Sequence, residues 1–131
     1  MILDNFRLTD RVAVVTGAGQ GIGRGIALGF AEAGADVVLA ARTEGDLDRV
    51  AAEVEARGRR ALVVPTDVMV AGQRDVLVAA AVEHFGRLDV LVNNAGGSGP
   101  RPAMATSERY FDTALKFNAT VPFLLSTLAA R

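Results

Sequence analysis

Four apolar residues, three of them valine, run directly into a turn that carries glycine at 17, 19, 21 and 23. The stretch reads Val12-Ala13-Val14-Val15-Thr16-Gly17-Ala18-Gly19-Gln20-Gly21-Ile22-Gly23. The apolar run suits a strand covered on both faces. The glycines remove side chains where the chain must bend sharply, and they let backbone N–H groups approach a ligand. Ile22, Ile26, Ala27 and Phe30 follow at helical spacing, so a helix starts within or just after the glycines. A helix N-terminus offers unpaired N–H donors and a partial positive charge, which suits a pyrophosphate.

The turn departs from two common phosphate motifs. Ile22 stands where the third glycine of G-x-G-x-x-G belongs, and no Gly-Lys-Ser/Thr follows as in a P-loop. What stands here is Thr-Gly-x-x-x-Gly-x-Gly, from Thr16 to Gly23. The rest of the chain alternates strand and helix. Strands are expected at Val12–Thr16, Val37–Ala41, Ala61–Pro65 and Asp89–Val92, with helices at about Gly21–Ala33, from Thr43 towards Gly58, and at about Gly72–Phe85. Gly34, Gly58 and Gly86 sit where these helices must stop. Thr43 with Asp46 forms an imperfect capping box, and Arg57, Arg59 and Arg60 read as a solvated helix end. Val76, Leu77, Ala80 and Ala81 mark the inward face of the third helix, and Gly25 and Gly29 read as close-packing positions on the first. Residues 97–106 form a Gly, Ser and Pro loop; Ser107 then caps a last helical stretch, which Pro122 should break near Asn118.

Such alternation calls for an α/β fold: a doubly wound parallel sheet of Rossmann type, with strands 1 and 4 adjacent. Ligands of such sheets bind beyond the carboxyl ends of the strands. The second strand ends Ala40-Ala41-Arg42, where an acid reading the ribose hydroxyls would stand in an NAD site. Asp36 enters that strand at the opposite end, so Arg42 is expected to pair with a 2′-phosphate, favouring NADP over NAD. The third strand delivers Asp67-Val68, a carboxylate for an adenine amino group beside an apolar cover; helix capping is the competing role. The fourth delivers Asn93-Asn94-Ala95-Gly96, two amides able to tie strands and bind ribose, with small residues leaving room for the sugar.

Taken in order, Thr16–Gly23, Asp67-Val68, Asn93–Gly96 and Asn118 resemble the short-chain dehydrogenase/reductase family over essentially the whole chain. The resemblance implies an enzyme that transfers hydride between NAD or NADP and an alcohol or carbonyl. It implies phosphate contacts from Thr16, Gly17, Gly19, Gln20, Gly21, Ile22 and Gly23, adenine contacts from Asp67 and Val68, and a nucleoside pocket at Asn94, Ala95 and Gly96. It makes Asn118 the active-site asparagine that orders a water beside a catalytic lysine; satisfying backbone at the kink is its other role. It also implies a homo-oligomer built on the helices after the fourth strand, where Val121–Leu128 is apolar enough to fit; burial inside one subunit explains that run equally well.

One part of the family pattern is missing. The family's chemistry needs a tyrosine, a lysine four residues later and an upstream serine. The one tyrosine, Tyr110, and the one lysine, Lys116, are six apart and precede Asn118. On a helix they lie roughly 120° apart around the axis. The last residues, Leu124 to Arg131, remain helix-forming, and strands five and six of the sheet are absent. The expectation is a single incomplete dinucleotide-binding domain over residues 1–131, the N-terminal half of a longer enzyme, inactive alone and with an unpaired apolar strand edge. A non-catalytic dinucleotide-binding module is the alternative. A methyltransferase would fit Gly17-Ala18-Gly19-Gln20-Gly21, but the acid it needs after the second strand is absent.

Composition removes other classes. The net charge of −1 gives no field for nucleic acid or anionic membrane, and the absence of cysteine with a single histidine removes disulfides, thiolate chemistry and a structural zinc site. No apolar run reaches the roughly 18 residues of a membrane helix. No basic-then-apolar leader is visible, so a cytoplasmic protein acting on a small alcohol or ketone is expected.

Overall fold

The computed structural model describes residues Met1–Arg131. Strands β1 (Val12–Thr16), β2 (Asp36–Ala41), β3 (Ala61–Pro65) and β4 (Val90–Val92) form one parallel sheet in the order β3-β2-β1-β4. Thr16 pairs with Ala40, Ala41 with Pro65 and Val15 with Val92, so the strands end nearly level. This register brings residues 17, 42, 66 and 93 to one edge of the sheet although they are far apart in sequence.

There are five helices: α1 (Gly21–Glu32), α2 (Glu44–Ala56), α3 (Ala71–Phe85) and α5 (Val121–Ala129) cover the faces, and α4 (Glu108–Leu115) lies outside both cores. Side chains along β1 alternate between two cores. Val15, Val37 and Leu39 pack with Ala27 and Ala31 of α1 and Leu47, Val50 and Val54 of α2. Val12, Val14 and Val38 pack on the other face with Leu77 and Ala81 of α3 and Val121 and Leu125 of α5. Burial on both faces explains why every residue of β1 is apolar or fully hydrogen-bonded. β4 is an edge strand and only half-buried.

The local signals behave as their chemistry requires. Gly34, Gly58 and Gly86 follow α1, α2 and α3 with φ of +105°, +80° and +79°. The Ser107 hydroxyl accepts from the Tyr110 N–H at 3.1 Å and caps α4. A π-helical turn at Lys116–Thr120 separates α4 from α5, where the break near Asn118 is expected.

Other expectations fail because a single helix does not know its neighbours. The inward stripe of α1 is Gly23, Ala27, Leu28 and Ala31; Ile22 is 77% exposed. Gly25 and Gly29 are exposed, and a Cβ on either meets nothing within 4 Å, so they are not packing glycines. On α3, Val76 is exposed and Arg74 is buried. The Thr43 hydroxyl makes no cap bond, and the Asp46 side chain pairs with Arg49 instead of closing a box. The arginines at 57, 59 and 60 are not merely solvated. Arg57 pairs with Glu32, while Arg59 and Arg60 hold the buried Asp36 at 3.2 and 2.7 Å. Burial pushes the Asp36 carboxyl up, but hydrogen bonds from Arg60 and the charge of Arg59 outweigh it and leave it below the usual carboxylate range. Val121 and Leu125 are buried in the chain's own core, whereas Phe123 between them is exposed. No helix is long and apolar enough to cross a membrane.

Candidate functional site

The level strand ends open into a cleft of about 590 Å³. Gly17, Gly19, Gln20, Arg42, Asp67, Val68, Asn94, Ala95 and Gly96 line it, so nine sequence-predicted residues meet in one place. Thr16, Gly21, Ile22, Gly23 and Asn118 do not line it, and four of these five shape the turns and loops around it.

Thr16 is the tie between β1 and the end of β4. Its hydroxyl donates to the Val92 carbonyl at 3.2 Å and accepts from the N–H groups of Asn94 and Ala95 at 3.1 and 3.0 Å. Asn94 returns the link, donating through Nδ2 to the Gly17 carbonyl at 3.2 Å. Asn93 points the other way, donating to the Ser126 hydroxyl on α5 at 3.2 Å, rather than joining strands. Alternation at a strand end gives two adjacent amides opposite tasks.

The glycine turn is built from two requirements. Gly17 has φ +62° and Gly21 φ +58°, in the left-handed region. At Gly23 a Cβ would lie 2.1 Å from the Gly17 carbonyl oxygen, so only glycine lets α1 start this close to the turn. Gln20 precedes α1 without a side-chain cap, and no acidic residue lies in the first turn. The N–H groups of that first turn have no intrahelical partner, and Gln20, just ahead of them, lines the cleft with Gly17 and Gly19. Bare main-chain donors at an uncapped helix start fit a diphosphate.

The β3 side is held differently. The Asp67 carboxylate accepts from the Met69 N–H at 2.9 Å through Oδ1, and the Asp67 N–H donates to Gln73 at 2.6 Å. Asp67 therefore closes a short turn before α3 instead of capping it; the residue preceding α3 is Val70. Asp67 Oδ2 has no hydrogen-bond partner within the chain. Arg42 also forms no hydrogen bond or ion pair within the chain and stays free at the exit of β2.

Asn118 sits in the π-helical turn and grips the loop after β4. Its Oδ1 accepts from the Gly97 N–H at 2.7 Å; its Nδ2 donates to the Gly97 carbonyl at 3.1 Å and the Ala114 carbonyl at 2.8 Å. A Cβ on Gly96 would meet Asn118 Oδ1 at 2.8 Å, which explains the glycine there. Tyr110 faces the cleft, donates to the Gly99 carbonyl at 2.7 Å and carries the Arg101 guanidinium 3.9 Å over its ring.

Sequence reasoning missed Thr43, Asp46, Thr66, Tyr110 and Phe117 as parts of the wall. Thr43 and Asp46 follow Arg42 out of β2, and Thr66 follows the end of β3, so strand register is the signal that finds them. Tyr110 and Phe117 reach the cleft through the path of the 97–106 loop, which no local pattern encodes.

Residues 11–131 match the family described as short chain dehydrogenase. An uncharacterized oxidoreductase of Mycobacterium tuberculosis is 46% identical over 98% of this chain and 49% of its own length. A short-chain type dehydrogenase/reductase from Mycobacterium marinum superposes with a TM-score of 0.95 at 35% identity, over 100% of this chain and 53% of that one. A 7 alpha-hydroxysteroid dehydrogenase, complexed with NADH and 7-oxo glycochenodeoxycholic acid, superposes with a TM-score of 0.93 at 38% identity, over 97% of this chain and 49% of that one. The chain spans about half the length of the curated relatives it matches.

Proposed function

The chain belongs to the short-chain dehydrogenase family, and on that premise we propose that these residues form the cofactor-binding half of an NAD(P)-dependent oxidoreductase. The complete protein moves a hydride between a nicotinamide dinucleotide and an alcohol or carbonyl of a small molecule. The observation that carries this reading is the uncapped start of α1 behind Gly17 and Gly19, opening into a cleft whose other walls are Asp67-Val68 and Asn94–Gly96. When bound, the cofactor supplies the carbon that gives or accepts the hydride. The main chain of Gly17 to Gly23 surrounds the diphosphate, with Thr16 and Gly23 holding that turn in shape and Ile22 contributing its backbone. The free Asp67 oxygen accepts from the adenine amino group and Val68 covers the ring. Asn94, Ala95 and Gly96 border the nucleoside, and Asn118 fixes Gly97 next to it.

The cofactor preference is for NADP. Arg42 is a free cation on the cleft wall, Thr43 beside it makes no cap bond, and Ala40 and Ala41 stand where an acid would repel a 2′-phosphate. Calorimetry of the full-length protein tests this. NADP should bind tighter than NAD, and Arg42→Ala should weaken NADP about ten-fold while leaving NAD nearly unchanged. Tighter NAD binding in the wild type, or an unchanged ratio in the variant, refutes the preference. Failure to bind any nicotinamide dinucleotide refutes the function.

The working protein is a cytoplasmic homo-oligomer, with the exposed Phe111, Leu115 and Phe123 on the α4–α5 side available to a second copy. A binding module without turnover is the second reading. It rests on the same cleft, which needs no reacting side chain to hold a dinucleotide. Residues 1–131 alone should bind cofactor without turning over, because the Tyr–Lys pair and serine of the family pattern are not among them. NADP-dependent oxidation or reduction of any alcohol or ketone by the full-length protein dismisses the second reading.

A further inference from the structure

Arg74 is 6% exposed, a guanidinium buried in the second turn of α3. None of the chain's ion pairs involves it, so no carboxylate lies within 4.0 Å. Its single side-chain hydrogen bond runs from Nη1 to the Val68 carbonyl at 2.7 Å. No counter-ion makes it a stabilising ion pair, its Nε and Nη2 still touch solvent, and a leucine or methionine fills similar space. What an apolar residue lacks is the donor that restrains the Val68 carbonyl.

That carbonyl belongs to the segment that forms the β3 wall of the cleft. Val68 is itself 6% exposed and lines the cleft beside Asp67. The same segment is gripped from α3 a second time, through Gln73 Oε1 on the Asp67 N–H at 2.6 Å. Two consecutive side chains of one helix turn thus hold the backbone of two consecutive residues of the wall, the Asp67 N–H and the Val68 carbonyl. We infer that Arg74 is a positioning residue for the purine-binding wall: its guanidinium sets the orientation of the Val68 peptide, and thereby of the Val68 side chain and the free Asp67 oxygen. The inference rests on the proposed reading that an adenine nucleotide binds there.

The test is calorimetric titration of the full-length protein with ADP-ribose, which carries the adenine side without the nicotinamide, alongside thermal melting. Arg74→Leu should raise the ADP-ribose Kd about five-fold, the loss of one restrained contact. Its melting temperature should stay nearly level, since no ion pair is lost and leucine fills the space of the arginine stem. Arg74→Lys retains an N–H donor for the same single acceptor and should restore the affinity to within about two-fold. If Arg74→Leu does not yield folded protein, Arg74→Met against Arg74→Lys decides the same question. An unchanged Kd in the apolar variant overturns the inference. So does a loss of affinity that tracks a fall in melting temperature and is not restored by lysine. Wild-type protein that ignores ADP-ribose and every nicotinamide dinucleotide overturns the functional reading with it, whereas wild-type binding with an indifferent variant overturns this inference alone.

Discussion

Replacing Gly23 with alanine would set a methyl carbon 2.1 Å from the Gly17 carbonyl oxygen and 2.6 Å from Asn94 Nδ2. That is 0.9 Å inside the 3.0 Å limit that real Cβ contacts respect, and the obstacle is backbone, which cannot swing aside. Either α1 withdraws from the turn or the Gly17 carbonyl rotates and breaks its 3.2 Å bond from Asn94. Overpacking of this kind costs about 1–3 kcal/mol, and the lost hydrogen bond adds about 1. Alanine returns about 1 kcal/mol in helix propensity, leaving a net loss of about 1–3. Urea denaturation of the full-length protein should show a midpoint lower by about 1–2 M, and dinucleotide affinity should fall with the displaced turn. Gly25 and Gly29 lie on the same helix in open space. Alanine there should raise stability by about 0.5–1 kcal/mol and leave affinity unchanged. If all three variants shift the midpoint in one direction, or Gly23→Ala behaves as wild type, the close approach of α1 to the turn is not what requires glycine.

Asp89 accepts from the Val12 N–H and from Arg87 and Arg11, and the Arg87 hydrogen bond holds its pKa at about 2. A lowered folded pKa stabilises above the usual carboxylate pKa and is lost as pH falls through the folded value. The urea midpoint should therefore hold down to about pH 4 and decline towards pH 2. With Arg87 and Arg11 half exposed, the contribution is about 1 kcal/mol, and Asp89→Asn should flatten the decline. Asp36→Asn removes the buried partner of Arg59 and Arg60 and should cost about 2 kcal/mol in the same assay, far from the cleft and without changing dinucleotide affinity. Ser107→Ala removes the α4 cap and should cost about 1 kcal/mol, a loss that Ser107→Asp recovers.

The sequence by itself determined the strands, the helix ends at Gly34, Gly58 and Gly86, the Ser107 cap, the break at Asn118 and the glycine turn. Each follows from interactions within a few residues: apolar periodicity, left-handed backbone and the missing N–H of proline. Nine candidate site residues were legible because parallel strands in a doubly wound sheet must end on one edge. Only the tertiary structure decided which way side chains turn once elements pack. It sent Ile22 and Val76 to solvent, Asn93 to α5, Arg59 and Arg60 to Asp36, and Arg74 beneath the Val68 carbonyl. It also separated the motif residues that line the cleft from Thr16 and Gly23, which shape it from behind. The physical reason is range. Local conformation is settled by near neighbours along the chain, whereas a polar side chain's partner is whatever strand register and helix packing bring within about 3 Å. Partners that stand 24, 33 or 79 positions apart share no local pattern that could announce them.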